Sequence, residues 1–444
     1  MNGRSPRWTV GGPDLDLADP HFYTDPRHHG IWRAARDAHP VAWTESARTG
    51  GFWSVTTHAE GSAVLRNPQV FVSGLGMRLG ADPRGVEAAA GRMLVVSDGA
   101  AHRRLRSAHQ SWFNGRAVAA LLPVLRRQVD ARLGELLARG GPFDAVAELA
   151  EWMPTWVLFE MMDIPGPDRD ELAGIMARAF DDADESAAGA AGRTAAHTEI
   201  FAYFAGLLDD RRDCPGRDIV SSLATAEAHG RPFTDDEVLL NCDGLMNGGL
   251  ETTPHAVSGA LLALARRPDA WRLLKQDPGL LDTAVEEVLR WTSPALHAMR
   301  TAAEDTTLGG ARIRRGDRVV VWLPSCNHDE RVFPDPDAFE IGRRPNPHLG
   351  FGGGPHYCVG STLARAEVRC LLEALLRHVK SIEVTGDAPR RPSNFLRGLQ
   401  RLEVELVPEA GNGRGAGADG EEDVHVHEAH EHVRATGDAA GDAA

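Results

Sequence analysis

The stretch Phe351-Gly352-Gly353-Gly354-Pro355-His356-Tyr357-Cys358-Val359-Gly360 constrains this chain more than any other. It runs into a helical pattern with Leu363, Ala366, Cys370 and Ala374 on one face, which puts Cys358 at a helix N-terminus. There the helix dipole and the unsatisfied backbone N–H groups favour a thiolate, making Cys358 a candidate metal ligand or nucleophile. The successive glycines let the preceding turn reach positive φ and lie flush against something flat. A phosphate cradle would need a Gly-Lys-Ser or Gly-Lys-Thr ending, or dinucleotide glycine spacing, and neither is present. Taken alone, these residues equally describe a buried, inert cysteine in a glycine-rich turn.

The other cysteines (Cys214, Cys242, Cys326, Cys370) are scattered and form no Cys-x-x-Cys pair, which excludes a disulfide framework and a Cys-rich zinc module. Hydrophobic content of 42% with 25% charged residues describes a chain that buries a core. Nine acids against Arg414 and Arg434 after Pro408 supply −7 of the net −15, and neither value points to nucleic acid or an anionic membrane. No apolar run approaches the roughly 20 residues of a membrane span, and Met1–Thr9 lacks an apolar signal core. The expectation is a cytoplasmic protein with no membrane and no nucleic-acid partner.

Strand-like runs at Val41–Trp43 and Phe52–Val55 flank the turn signal Gly50-Gly51, and from about Gly99 to Leu264 the period is helical. The best-bounded helix runs from Asp235 to Arg267. Thr234 and Glu237 form a capping box, and Arg266 and Arg267 complement the C-terminal dipole before Pro268. Further on come a helix at Leu280–Trp291, strands at Ala311–Ile313 and Arg318–Leu323, a long irregular loop over Asn327–Pro355, a helix over Val359–Val379, and a strand at Arg401–Val407. Such a loop inside a compact domain is usually functional.

The cysteine stretch resembles the haem-binding loop of the cytochrome P-450 family, Phe-Gly-x-Gly-x-His-x-Cys-x-Gly, at Phe351, Gly352, Gly354, His356, Cys358 and Gly360. Two further family signatures lie upstream in the same order. Gly248-Gly249-Leu250-Glu251-Thr252-Thr253 is similar to the oxygen-activation segment of the long helix, and Glu287-Val288-Leu289-Arg290 to the Glu-x-x-Arg motif. The resemblance covers about Asp19 to Val407. It implies a mainly α fold with a small β region, a prism enclosing haem b (iron protoporphyrin IX). The implied organisation is an irregular lead-in over 1–18, one catalytic domain over 19–408, and a disordered acidic tail over 409–444.

The resemblance makes Cys358 the axial iron ligand, which pushes electron density toward O–O cleavage. Gly248 and Gly249 let the long helix pass close to the porphyrin, and Thr252 and Glu251 bring a hydroxyl and a carboxylate to dioxygen, which needs two protons before its bond breaks. Glu287 and Arg290 are expected to be a structural ion pair. Its usual third partner is missing, because Pro336-Asp337-Ala338-Phe339 has Ala338, and Arg343 is the nearest replacement. His102, Arg106, Arg300 and His356 resemble the family's haem propionate contacts. An interior proline at Pro254 costs about 3 kcal/mol unless the helix is already opened there.

Val70–Val96 reads as a mobile lid, and the resemblance places it over a substrate pocket, to which it would contribute Leu75, Met77, Met93 and Leu94. Leu245, Met246, Ala295, Leu296, His297, Asn394, Phe395 and Leu396 are expected to complete an apolar lining suited to a medium-sized organic substrate, free or bound to a carrier protein. The implied function is monooxygenation with O₂ and electrons from NAD(P)H. No flavin or reductase segment is recognisable, so a ferredoxin and a ferredoxin reductase are the expected partners of a monomeric enzyme. Arg103, Arg104, Arg344, Arg365 and Arg369 offer a basic dock for that ferredoxin. The rival readings are peroxide-driven or non-hydroxylating chemistry such as coupling or nitration, a haem sensor without turnover, and metal handling by His425, His427, His430 and His432. The intact Glu251-Thr252 pair favours O₂ chemistry.

Overall fold

The computed structural model describes residues 7–8, 15–25, 28–179, 187–228 and 231–409. Most of the expected lead-in, and the tail from residue 410 with its histidines, lie outside them. The helices that matter here are α1 (Gly99–Phe113), α2 (Gly115–Arg139), α3 (Ala187–Asp213), α4 (Asp235–Leu250), α5 (Thr253–Ala265), α6 (Leu281–Thr292) and α7 (Ser361–His378). Asn114 caps α2 by accepting the backbone N–H groups of Arg116 and Ala117, and Gly140 ends it at φ 65°. Between these caps Leu121, Leu125, Val129, Leu133 and Leu136 recur at helical spacing and are all buried. Helix α7 packs along that stripe with Val368, Leu371, Leu372 and Leu375, inside the main core shared by the helices.

The strands are β1 (Val41–Thr44), β2 (Phe52–Val55), β3 (Phe71–Val72), β4 (Phe143–Asp144), β5 (His297–Ala302), β6 (Arg318–Trp322), β7 (Val379–Val384) and β8 (Glu403–Pro408). One sheet runs β1-β2-β6-β5-β3 and another β7-β8-β4. Strand β6 pairs parallel to β2 and antiparallel to β5. Its Val319, Val320, Val321 and Trp322 are fully buried, which is why it reads as an unbroken apolar run without alternation. The register sets Arg300 of β5 opposite Val319, and β3 alongside β5 with Val72 opposite Thr301. That pairing brings Ser73, the residue after β3, toward the start of α1.

The single helix expected over Asp235–Arg267 is two. The capping box is present, with Thr234 Oγ1 accepting the Glu237 N–H and the Glu237 carboxylate accepting the Thr234 N–H. The ladder stops at Leu250 and restarts at Thr253. Two side chains cause the break. Pro254 supplies no N–H to Leu250 O, and Thr252 Oγ1 donates to Gly248 O at 2.7 Å. Pro254 thereby falls in the first turn of α5, where a missing N–H costs nothing. Beyond it Ala256, Val257, Ala260, Leu261, Ala263 and Leu264 are buried, as the all-round apolar sequence requires.

Candidate active site

Gly352 and Gly354 take φ of 72° and 64°. A Cβ at Gly354 would stand 2.4 Å from Leu65 O and 3.0 Å from Arg66 Cα, both backbone atoms, so glycine is obligatory there. The turn lets the Cys358 N–H donate to Phe351 O at 3.0 Å and the Tyr357 N–H to Gly354 O at 3.1 Å. Cys358 is exposed, just ahead of α7. Protein crowding the sulphur still pushes the thiol pKa up, and the Gly360 N–H and the charges of Arg106 and Arg365 pull the other way. Arg106 Nη1 holds Tyr357 O at 2.6 Å. Arg365 lies 4.5 Å over the Phe351 ring and binds Glu286 through two nitrogens at 2.6 and 3.0 Å.

Beside this loop four donors converge. The His102 and His356 rings lie 4.2 Å apart, and His102 Nε2 is buried without a hydrogen-bond partner. Burial, then the charges of His356 and Arg106, push His102 down to about 4. His356 Nε2 stands 3.2 Å from Ser73 Oγ and 3.5 Å from Asp98 Oδ1. Burial alone would raise the Asp98 carboxyl, but the His356 hydrogen bond and the backbone N–H groups of Ser73 and Gly74, at 2.9 and 2.7 Å, outweigh it. Arg300 is 6% exposed, with one hydrogen bond, from Nη1 to Met299 O at 2.8 Å. It has no carboxylate ion pair among the described residues, and burial lowers its pKa to about 10. Ser73 and Asp98 were not singled out from sequence. Asp98 opens the segment that carries His102 and Arg106, and its capping position hid its grip on the β3 turn.

The Glu-x-x-Arg pair is built as a buried network. Glu287 and Arg290 are both 0% exposed and bind through two contacts of 2.8 Å. Arg343 Nε reaches the same carboxylate at 3.2 and 3.3 Å, in the place that Ala338 leaves without a side-chain donor. Arg290 and Arg343 also bind the carbonyl oxygens of Asn327, Pro334, Pro336 and Ala338. The long loop thus owes its shape to two guanidinium groups.

The residues expected around the substrate pocket differ in their contacts. His297 is 1% exposed: its Nε2 accepts the Leu79 N–H at 3.0 Å and its Nδ1 donates to Asn394 O at 2.9 Å. It is a strut with no ring nitrogen free for a ligand. Met246 and Leu296 are buried in separate cores, and Leu245 packs half-buried against the helical core. Ala295 bridges to Leu396, Phe395 is buried, and Asn394 Nδ2 donates to Ala18 O at 2.9 Å. Leu75 is 65% exposed, whereas Met77 O accepts the Met299 N–H at 2.8 Å. The expected lid is anchored at its far end. Asn241 Oδ1 accepts the Leu94 N–H at 3.0 Å and Asn241 Nδ2 donates to Arg92 O at 2.8 Å, while Met93 Cε lies 2.7 Å from where a Gly244 Cβ would be.

The α4 face that carries Glu251 also carries Asp243 and Asn247 at helical spacing. Asn247 Nδ2 donates to Asp243 Oδ2 at 3.0 Å, and His197 of α3 stands 3.6 Å from Asp243 Oδ1. In the expected basic dock, Arg104 is corrected to the interior: it is buried, paired with Glu237 and 4.4 Å over the Phe233 ring. Its position on the inner face of α1, under the α4 capping box, accounts for this. Arg369 pairs with Asp282 and Glu373, leaving Arg103 and Arg344 exposed without ion pairs among the described residues.

Haem brings an iron that takes an axial ligand and two propionates that need cationic or N–H partners when buried. The residues present fit it. They offer an exposed thiol at a helix N-terminus, an orphaned His102 Nε2 and a buried Arg300 without a carboxylate. Among the described residues no group of three or more His, Cys, Asp and Glu could hold a bare metal ion, and no helix is long and apolar enough to cross a membrane.

A match to the family Cytochrome P450 spans residues 196–405. The chain is 37% identical over 409 residues to Cytochrome P450 NovI of Streptomyces niveus, covering 91% of this chain and all of that protein. It is 35% identical over 410 residues to Linalool 8-monooxygenase of Pseudomonas putida, covering 88% and 99%. The solved structure of OxyD, a P450 involved in the biosynthesis of vancomycin-type antibiotics, superposes with a TM-score of 0.81 at 38% identity over 89% of this chain and all of that one. Similarity over nearly the whole length, on a fold whose thiol and cation cluster suit the cofactor, places the chain in the cytochrome P-450 family of haem monooxygenases.

Proposed function

We propose that this enzyme inserts one oxygen atom of O₂ into a medium-sized organic molecule of specialised metabolism, with electrons from NAD(P)H delivered through a ferredoxin. Bound haem supplies the oxygen-activating chemistry. Cys358 would hold the iron, and the Gly360 N–H with the charges of Arg106 and Arg365 partly offsets the burial that raises its thiol pKa. Arg300, Arg106, His102 and His356 bind the propionates. A propionate beside Arg300 would supply the counter-charge that its surroundings lack.

Thr252 and Glu251 form the proton path in this reading. With its own proton on Gly248 O, the Thr252 hydroxyl presents lone pairs and orients a donor. The broken ladder beside Pro254 leaves Leu250 O without an N–H from that residue, and such a carbonyl can hold a water in the same path. Asp243 and Asn247 put polar groups on the same helix face, so the substrate wall is not purely apolar.

An exposed thiol on the loop that carries His356, together with a buried Arg300 that has no carboxylate ion pair among the described residues, is the observation that carries this proposal. What supports specialised metabolism is the likeness to OxyD, whose described role is antibiotic biosynthesis. The ferredoxin rests on Arg103 and Arg344 at the surface near α1 and the cysteine loop. Reconstitution with a ferredoxin, its reductase and NADH, after screening natural-product intermediates for a spin-state shift, tests both. Turnover driven by peroxide alone, with no product from NADH, would overturn the electron route.

A further inference from the structure

A cavity of about 400 Å³ opens between α5, the end of α6 and the segment around Arg397, away from the cysteine loop. Its walls include His255, Arg266, Arg267, Trp291, Arg390 and Arg397, and no acid is among the lining residues. Four arginines around one space with no acid in its lining is an uncommon arrangement, because like charges repel.

Two of the four side chains are held in place. Arg267 stacks 4.6 Å from the Trp291 ring, and Arg397 Nη1 donates to Trp291 O and Thr292 O at 2.6 and 3.0 Å. Arg390 pairs through its backbone with Leu399 in a β-bridge. Burial first, then neighbouring arginines, lowers Arg390 and Arg267, and pushes Arg397 down to about 9. His255 is 4% exposed and its Nδ1 is buried without a hydrogen-bond partner. Gly398 has no Cβ because one would stand 2.1 Å from that nitrogen. The cavity therefore combines fixed cations, a spare imidazole nitrogen and the volume of a small-molecule site.

We propose that this cavity binds a small phosphate-bearing anion, whose oxygens take the guanidinium forks of Arg266, Arg390 and Arg397 and a hydrogen bond from His255. Phosphate suits it better than a single carboxylate, because planar forks approaching from several directions match a tetrahedral, multiply charged group. Segment 394–397 joins the cavity, lined by Arg397, to Phe395 and Leu396 of the expected substrate wall. The Arg397 N–H donates to Pro294 O at 2.7 Å and the Leu296 N–H to Phe395 O at 2.7 Å.

The test is titration calorimetry of the full-length, haem-loaded enzyme with inorganic pyrophosphate at low salt. Haem must be present because the Arg300 cluster would otherwise take the same probe. One site per chain is expected. Arg266→Gln and Arg390→Gln should each weaken binding about tenfold, the effect of losing one charge-assisted contact. Arg397 is left alone, since it also holds two carbonyls of α6. An unchanged Soret spectrum and Tm would show that the variants remain folded, and tighter binding of ADP than of pyrophosphate would assign an organic phosphate as the occupant. No binding by wild type, or equal affinity in the double variant Arg266→Gln/Arg390→Gln, would overturn the proposal.

Discussion

Replacing Glu287 by Gln removes one negative charge and almost no volume from a fully buried site, so packing and electrostatics separate cleanly. The carboxylate accepts from Arg290 twice at 2.8 Å, from Arg343 at 3.2 and 3.3 Å, from the Glu340 N–H at 2.8 Å and from Asn346 Nδ2 at 3.2 Å. Breaking one half of a buried pair costs about 3–5 kcal/mol. Two guanidinium groups lose the buried counter-ion they share, which puts the loss at the upper end. It stops there because both retain their carbonyl contacts to the loop. Against a total of about 5–15 kcal/mol, such a loss leaves the fold marginal. Arg343→Met should cost about half as much, since Glu287 and Arg290 keep their two-point contact. Urea unfolding with haem content as a second readout measures both. If Glu287→Gln unfolds within about 1 kcal/mol of wild type, or Arg343→Met proves the worse variant, the network is not what shapes the loop before Cys358.

Cys358→Ala should abolish the red-shifted Soret band of the ferrous CO complex while Cys370→Ala keeps it; the opposite result would move the ligand. Thr252→Ala should consume NADH at a comparable rate while more of it ends as peroxide, and an unchanged product-to-NADH ratio would place proton delivery elsewhere. His297, held down to about 3 by burial, stays neutral in the fold while an unfolded histidine protonates near 6.5. Stability should therefore fall as pH drops below about 6.5, by about 2 kcal/mol at pH 5 from this residue alone. Denaturation of His297→Gln at pH 7 and pH 5 checks this, since its pH slope should be shallower than that of wild type. Gly354→Ala should lower haem content, because its Cβ would meet the Leu65 carbonyl, and normal loading would show the loop to be pliant.

The sequence made local chemistry legible and long-range contacts much less so. The strands at Val41 and Phe52, the helix ending near Trp291 and the one beginning after Gly360 stand where period and punctuation put them, because each is decided by neighbours within a few positions. The break after Leu250 was only half visible. Pro254 announced the missing N–H, but the capture of Gly248 O by the Thr252 hydroxyl depends on a side-chain rotamer. His297 looked like a pocket residue because nothing in its neighbourhood reveals that Leu79 and Asn394 claim both of its nitrogens. Asp98 and Ser73, 25 positions apart, meet only because β3 pairs with β5. Arg104 read as a surface charge for the same reason, its partner Glu237 lying more than a hundred residues away.

The buried arginines tie the fold to its chemistry. A guanidinium withdrawn from water is costly unless a counter-charge and hydrogen bonds come with it. Arg36 has Glu330, Arg104 has Glu237, and Arg290 and Arg343 share Glu287. Each of these cations has a carboxylate partner, and each pair joins segments far apart in sequence except the turn within α6. Arg300 is buried as deeply, yet it has only a backbone carbonyl and the more distant Asp98 carboxylate, already engaged by Ser73, Gly74 and His356. Among the described residues none supplies the counter-charge, and an anionic ligand would. The Asp98 carboxylate links Arg300 to His356 of the Cys358 loop, whose ring lies 4.2 Å from that of His102 with its orphaned nitrogen. An anionic cofactor with a metal centre satisfies both deficits at once. The thiol would take the metal and the guanidinium the charge, so an exposed thiol and a buried cation would become the two ends of one binding site.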